Sequence, residues 1–393
     1  MSVRPLAFTN GSILTGDRLA DDLVVVVEDG RIRRIVHREE ISPAEMDIQD
    51  LAGHLLLPGF IDTQVNGGGG VLFNDSPDVD GIEAIARAHR RFGTTGFLPT
   101  LISDELDVVN KALRATEESI ANGVPGVLGV HIEGPFLNSD RRGVHDDKRL
   151  RRLTTDIVTA IEPVRNGKTI LTLAPEAVDP QSIRDLTRKG FIVCAGHSNA
   201  SHAQTVEAMD QGLSGFTHLF NAMSQLGVRE PGVVGAALDD RESWCGIIAD
   251  GHHVSPVSLR VAYRCKGPDR LMLVTDAMPP VGSDLTQFKL LDKIVVASNG
   301  VCRDQNGTLA GTTLDMAGAV RNMQKFCGVE LSVAAKMASG TPAAFLGLEN
   351  ETGTIKAGTR ADFVVADSDL RVLMTWIAGT LRYTATEATV AGI

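Results

Sequence analysis

Apolar and polar positions follow two different rhythms along this chain. The ends carry short β-branched runs, and the middle alternates apolar runs with amphipathic stretches. Residues 1–58 contain LAFTNGSIL, DLVVVVEDG and RIRRIV, separated by Asn-Gly and Asp-Gly, which are hairpin signals. HLLLPGF follows, with Pro58-Gly59 as a break. Thr354 to Tyr383 reads in the same way through ADFVVADSD, RVLMTWIAGT and LRY. The two ends are therefore expected to pair into one small β-sandwich domain, residues 1–58 plus 352–393, flanking a larger domain of residues 59–351.

In that larger domain eight apolar runs read as buried strands: 59–66, 96–101, 127–133, 170–175, 191–197, 215–221, 245–251 and 270–277. Helical patterns separate most of them. From Asp104 to Ile120, residues Leu106, Val109, Leu113, Thr116 and Ile120 share one face. Ser255-Pro256 supplies a cap and a proline for the first turn of another helix. Further helices are expected over Leu314–Phe326 and near Ser332–Leu346. Eight strand-plus-helix units predict an α/β fold, a closed (β/α)8 TIM-like barrel, with a doubly wound open sheet as the alternative. A dinucleotide fingerprint, a P-loop and a G-x-S-x-G elbow are all missing.

The barrel expectation directs attention to the C-terminal strand ends, where such folds place their chemistry. In VLGVHIEGP the strand closes on His131-x-Glu133, and residues two apart share a face. The other strand ends offer Asp62, Gln64 and Asn66, then His197, His218, Asp250 with His252 and His253, and Asp276. Imidazoles and a carboxylate converging from separate strands suit a divalent transition metal with open positions. Asp276, ending the apolar run 271–275, is placed to act as a general base on water that such a metal acidifies. His37, His54, His89 and His202 fall away from these ends and read as structural or solvated.

Composition narrows the class further. Of 393 residues, 43% are hydrophobic and 22% charged, as in ordinary globular enzymes. The net charge of −11 argues against nucleic-acid and anionic-membrane partners, although local Arg and His still admit an anionic small substrate. Five scattered cysteines without a C-x-x-C pair favour a reducing cytoplasm over a disulfide framework. No run of about 18 apolar residues predicts a membrane span, and MSVRPLAFTNG lacks the apolar core of a secretory signal.

Several strings closely resemble the N-acetylglucosamine-6-phosphate deacetylase family of the amidohydrolase superfamily. They are PGFIDTQVNGGGGVLFND, HIEGPFLN, AGHSNA, THLFNAM, IIADGHHV, LVTDAM, LAGTTL and GTIKAGTRADFVV, spread over nearly the whole chain. The resemblance implies that Glu133, His197 and His218 hold the metal and that Asp276 is the catalytic aspartate. It implies substrate contacts at Val144 and His145, Asn221 and Ala222, Arg229, His253, and a closing loop at Leu309, Ala310 and Gly311. It also implies a homodimer in which Arg229 and His253 serve the neighbouring subunit's pocket. His131 is then a supporting residue beside a ligand.

Many superfamily members carry His-x-His at the end of the first strand for a second metal; here that place reads Gln64-x-Asn66. Neutral amides are poor zinc ligands, so one divalent ion per subunit is expected, Zn²⁺ foremost, with Fe²⁺, Co²⁺ and Mn²⁺ also suited to the set. The implied reaction is hydrolysis of the acetamido group of N-acetyl-D-glucosamine 6-phosphate to D-glucosamine 6-phosphate and acetate, in amino-sugar catabolism and cell-wall sugar recycling. Two rivals are a dihydroorotase-like or deaminase-like hydrolase, and a catalytically dead relative serving in assembly. The first usually needs a bridging carboxylated lysine or His-x-His, and the second would have lost ligands that are present here.

Overall fold

The structure, a computed structural model, describes residues 4–386; the outermost parts of the expected 1–58 and 352–393 segments, residues 1–3 and 387–393, lie outside the described residues. Eight parallel strands stand side by side in chain order: Phe60–Val65, Thr94–Ile102, Gly129–Glu133, Lys168–Leu173, Ile192–Ala195, Gly215–Phe216, Trp244–Ile248 and Leu271–Val274. The ring closes between the last strand and the first. Val65 and Ala277 form a parallel bridge, and Asp276 N donates to Gln64 O at 3.0 Å. This is the expected TIM-like barrel, not an open sheet. The first three strands are buried at every position, because helices cover the outside and side chains fill the inside.

The sixth strand is shorter than its apolar run suggests. The run 215–221 pairs only at Gly215–Phe216, because His218 turns the backbone into the left-handed region at φ 35°. The helix expected from Asp104 spans Leu106–Ala121 and buries Val109, Leu113 and Thr116. Pro256–Lys266 starts as anticipated, with the Ser255 side chain accepting from Ser258 N. The helical stretch near 332–346 is two helices, Leu331–Ala338 and Gly340–Phe345. They part at Ser339, whose hydroxyl donates back to Ala335 O, and Pro342 falls in the first turn of the second helix, where a proline is tolerated.

Both termini build a two-layer β-sandwich. One sheet orders Arg31–His37, Leu23–Glu28, Leu6–Thr9 and Asp47–Asp50. The other runs from Thr380–Thr384 through Val372–Ile377, Phe363–Ala366, Leu55–Pro58 and Ser12–Thr15 to Arg18–Ala20. Phe8 meets Phe363 and Trp376 edge-on between the layers, each pair of rings 5.0 Å apart. Phe363 is fully buried, so Phe363→Ala is expected to cost about 3–5 kcal/mol. A denaturant titration checks this, and a loss below about 1 kcal/mol would mean that the terminal pairing does not hold the domain.

One element escaped the sequence reading. Gln287–Leu290, Lys293–Ser298, Val301–Asp304 and Leu309–Thr312 form a four-stranded antiparallel sheet after the eighth barrel strand. Leu309–Gly311, expected as a closing loop, is therefore part of a strand. The alternation in FKLLDKIVVASNGVCRD and its Asn299-Gly300 turn carried the signal.

Candidate metal centre and active site

Glu133, His197 and His218 leave the third, fifth and sixth strands at one end of the barrel, and each is at least nine-tenths buried. His197 (φ 48°), His218 (φ 35°) and Asp276 (φ 52°) are all left-handed. Such a conformation costs a non-glycine residue about 1 kcal/mol or more and collects at functional sites. Each of the three follows the last paired residue of its strand, so the turn ends the ladder where the side chain enters a shared cavity.

Glu133 Oε1 lies 3.1 Å from His197 Nε2 and 2.9 Å from His218 Nε2, and the two Nε2 atoms are 3.1 Å apart. His197 Nδ1 faces Arg141 O at 2.8 Å; a carbonyl only accepts, so Nδ1 carries a proton, and in the neutral ring Nε2 is bare. A carboxylate oxygen and two ring nitrogens thus converge, and with a neutral His197 ring its Nε2 faces Glu133 Oε1 as acceptor to acceptor. Tetrahedral zinc ligands with nitrogen bonds near 2.0 Å stand about 3.3 Å from one another, close to these spacings. The triad can therefore hold a divalent cation. Burial works against the charge on Glu133, but the two imidazoles outweigh it and keep its pKa well below the usual range.

Asp276 stands beside the triad. Its Oδ1 accepts from Asn66 Nδ2 at 2.5 Å and from Gln64 Nε2 at 3.2 Å. Gln64 Nε2 also lies 3.3 Å from both Glu133 oxygens. The amides at the His-x-His position thus donate to the two carboxylates. Burial, then the nearby Glu133 charge, raises the Asp276 pKa to about 6. His131 points elsewhere: Nδ1 contacts Thr63 O at 3.0 Å and Nε2 contacts Thr172 Oγ1 at 2.7 Å, in the barrel interior. Burial lowers its pKa to about 4, so it is a neutral prop and not a fourth member of the cluster.

A cavity of about 350 Å³ opens over this centre. Glu133, His197, His218 and Asp276 line it, together with the expected Asn66, Val144, His145, Asn221, Ala222, His253, Leu309 and Gly311. Ala310, one step along its strand, faces the other way and is buried with Val295 and Cys302. His253 lines its own chain's cavity. Arg229 does not: it sits on an exposed loop. His252 is exposed, and His89 is buried against Gly67 O at 2.9 Å, a structural role. The sequence reading missed Arg141, the one Lys or Arg lining the cavity among the described residues. The adjacent pair Arg141-Arg142 beside His145 was its only signal. Ser103 was missed too; its hydroxyl lies 2.7 Å from His145 Nδ1.

Comparison with known proteins agrees with this geometry. The Amidohydrolase family model matches residues 55–382, and the NagA composite domain model matches residues 6–56. An N-acetylgalactosamine-6-phosphate deacetylase from a Shewanella species is 45% identical over 96% of this chain and 95% of its own length. The human N-acetylglucosamine-6-phosphate deacetylase is 38% identical over 98% and 97%. The crystal structure of the Pasteurella multocida N-acetylglucosamine-6-phosphate deacetylase superposes with a TM-score of 0.92 at 34% identity, covering 97% of this chain and all of that one. A Mycobacterium smegmatis deacetylase, an aspartate-to-alanine mutant in complex with N-acetyl-D-glucosamine-6-phosphate, gives 0.87 at 30% identity, with 98% and 100% covered. The chain belongs to the amidohydrolase family, in the branch that holds the N-acetylglucosamine-6-phosphate and N-acetylgalactosamine-6-phosphate deacetylases.

Proposed function

We propose that this protein hydrolyses the acetamido group of N-acetyl-D-glucosamine 6-phosphate, releasing acetate and D-glucosamine 6-phosphate, in amino-sugar catabolism and cell-wall sugar recycling. The observation that carries the reading is Asp276 beside a Glu133–His197–His218 triad, across a cavity of about 350 Å³, at the low end of small-molecule sites. One divalent ion per subunit, Zn²⁺ foremost with Fe²⁺, Co²⁺ or Mn²⁺ as the other fits, would be held by the triad and would supply Lewis acidity and a more acidic water.

The protein's own groups do the rest. With Oδ1 pinned by Asn66 and Gln64, Asp276 has Oδ2 to take the proton of the attacking water and return it to the departing nitrogen. His145, with Nδ1 accepting from Ser103 N, carries its proton on Nε2 and donates to the carbonyl oxygen as charge develops there. Arg141, the cation in the cavity lining, meets the phosphate. Arg229 is not in the lining of its own chain's cavity. Leu226 and Val228, 59% and 104% exposed on the same loop, support a homodimer in which Arg229 serves the partner's cavity. Unpaired cysteines fit a cytoplasmic setting, and no described helix is long and apolar enough to cross a membrane.

A second reading, N-acetylgalactosamine 6-phosphate as the better substrate, is favoured by the 45% identity to the Shewanella enzyme against 38% to the human one. Acetate release from the two phosphosugars and from free N-acetylglucosamine decides among these. The unphosphorylated sugar is expected to lose at least about 100-fold in kcat/KM, the worth of two charge-assisted hydrogen bonds. Equal rates with and without the phosphate would remove the phosphate site.

A further inference from the structure

Two cavity histidines have their protons set by different neighbours. Ser103 N lies 3.3 Å from His145 Nδ1, and a backbone N–H only donates, so the His145 proton is on Nε2. His253 is the reverse. Its Nδ1 lies 2.6 Å from Asp250 Oδ2, a carboxylate that only accepts, so Nδ1 carries a proton, and in the neutral ring Nε2 is bare. Asp250 is itself fixed, because its Oδ1 accepts from His252 N and His253 N, each at 2.8 Å. Both side chains are 4–5% exposed, and burial of the Asp250 charge is outweighed by these donors, which hold it ionised.

We propose that Asp250 is a positioning residue that fixes the His253 tautomer, so that the cavity presents a hydrogen-bond acceptor at His253 Nε2 and a donor at His145 Nε2. The group that the acceptor takes is a sugar hydroxyl. That last step rests on the phosphosugar reading above; the tautomer assignment stands without it. Discrimination among hydroxylated substrates then depends on a proton placed by a residue that never touches them. A site built to accept from a hydroxyl rejects a ligand lacking it far more strongly than an apolar wall would.

Asp250→Asn is the sharp test. The two backbone donors keep the amide oxygen at the Oδ1 position, so the amide NH2 faces His253 Nδ1. An NH2 group donates, and the ring proton must move to Nε2. The acceptor becomes a donor with no change of shape, as in the triad aspartate of serine proteases, where the wrong tautomer costs about 10⁴-fold in kcat. Here His253 binds and does not react, so kcat/KM is expected to fall by about 100-fold, mostly through KM. The tautomer is read directly in metal-loaded protein carrying ¹⁵N-histidine, with His253→Gln assigning the resonance. Wild type should show Nδ1–H and bare Nε2; Asp250→Asn should show the reverse. In a His253→Gln background, Asp250→Asn should add no more than about 2-fold. Nε2–H in the wild type, a doubly protonated ring at neutral pH, or fully additive losses would each overturn the assignment. Correct tautomers in an enzyme inactive on N-acetylhexosamine 6-phosphates would overturn the hydroxyl ligand and the parent reading.

Discussion

Asp276→Asn is expected to leave the fold and the metal content unchanged and to lower kcat by about 10²–10⁴-fold, the range that a positioned general base supplies. The substitution is isosteric. Asn66 and Gln64 donate to Oδ1, and an asparagine oxygen at that position accepts from both, though without the charge. The amide NH2 is then forced into the Oδ2 position, where a proton must be accepted. Structure is preserved and chemistry is lost, which separates this variant from one that merely loosens the site. Metal per chain and thermal midpoint serve as controls beside the acetate assay. A near-normal kcat would mean that another group takes the proton.

The same carboxyl sets an acid limb. Its pKa is raised to about 6 by burial and by the Glu133 charge. A base works deprotonated, so activity is present above that pKa and falls tenfold per pH unit below it. A cation in the triad opposes the effect of Glu133, so the limb of the metal-loaded enzyme should lie at or below about 6. Asp276→Asn should have no such limb in its residual activity.

The eight strands were legible because each is buried on both faces and reads as a continuous apolar run between turn signals, as at Leu271–Val274. The triad was legible for a related reason: barrel chemistry sits where such runs stop, and His197, His218 and Asp276 each stand at a stop. Among their neighbours Gln64, Asn66 and Asp250 were legible as strand-end residues, but the contacts they make were not. Ser103 and Asp250 act through hydrogen bonds to histidines 42 and 3 residues away. Asn66 and Gln64 act on a carboxylate more than 200 positions along the chain, across the barrel seam. Hydrophobic period says nothing about which side chains meet across that seam. His131 shows the same limit. Its spacing from Glu133 put both on one side of the strand, yet the imidazole is spent on Thr63 and Thr172 below the metal centre. The four-stranded sheet at 287–312 has ordinary hairpin signals, but the repeating strand-plus-helix pattern of a barrel does not include it.

Glu133→Gln is expected to abolish metal retention and activity together. The glutamine fills the same volume, but its amide oxygen is neutral, and two imidazoles with a neutral oxygen form a weak set for a divalent ion. Losing a group that only supports a ligand costs 10–100-fold in metal affinity, so losing the single anionic ligand should exceed about 100-fold. Stability separates this from misfolding. In the metal-free protein Glu133 is a buried charge, 2% exposed, beside two imidazoles; a neutral isostere removes the desolvation cost of that charge. The apo variant should therefore melt within a few degrees of the apo wild type. Only the wild type should gain stability on adding metal, by about 4 kcal/mol when the ion is present at 1,000 times its Kd. Elemental analysis supplies the count: one ion per chain in the wild type and none in the variant. A variant retaining one ion at wild-type affinity would dissolve the triad assignment. Two ions per wild-type chain would instead show that Gln64 and Asn66, which here donate to carboxylates, can give up those bonds and serve as ligands.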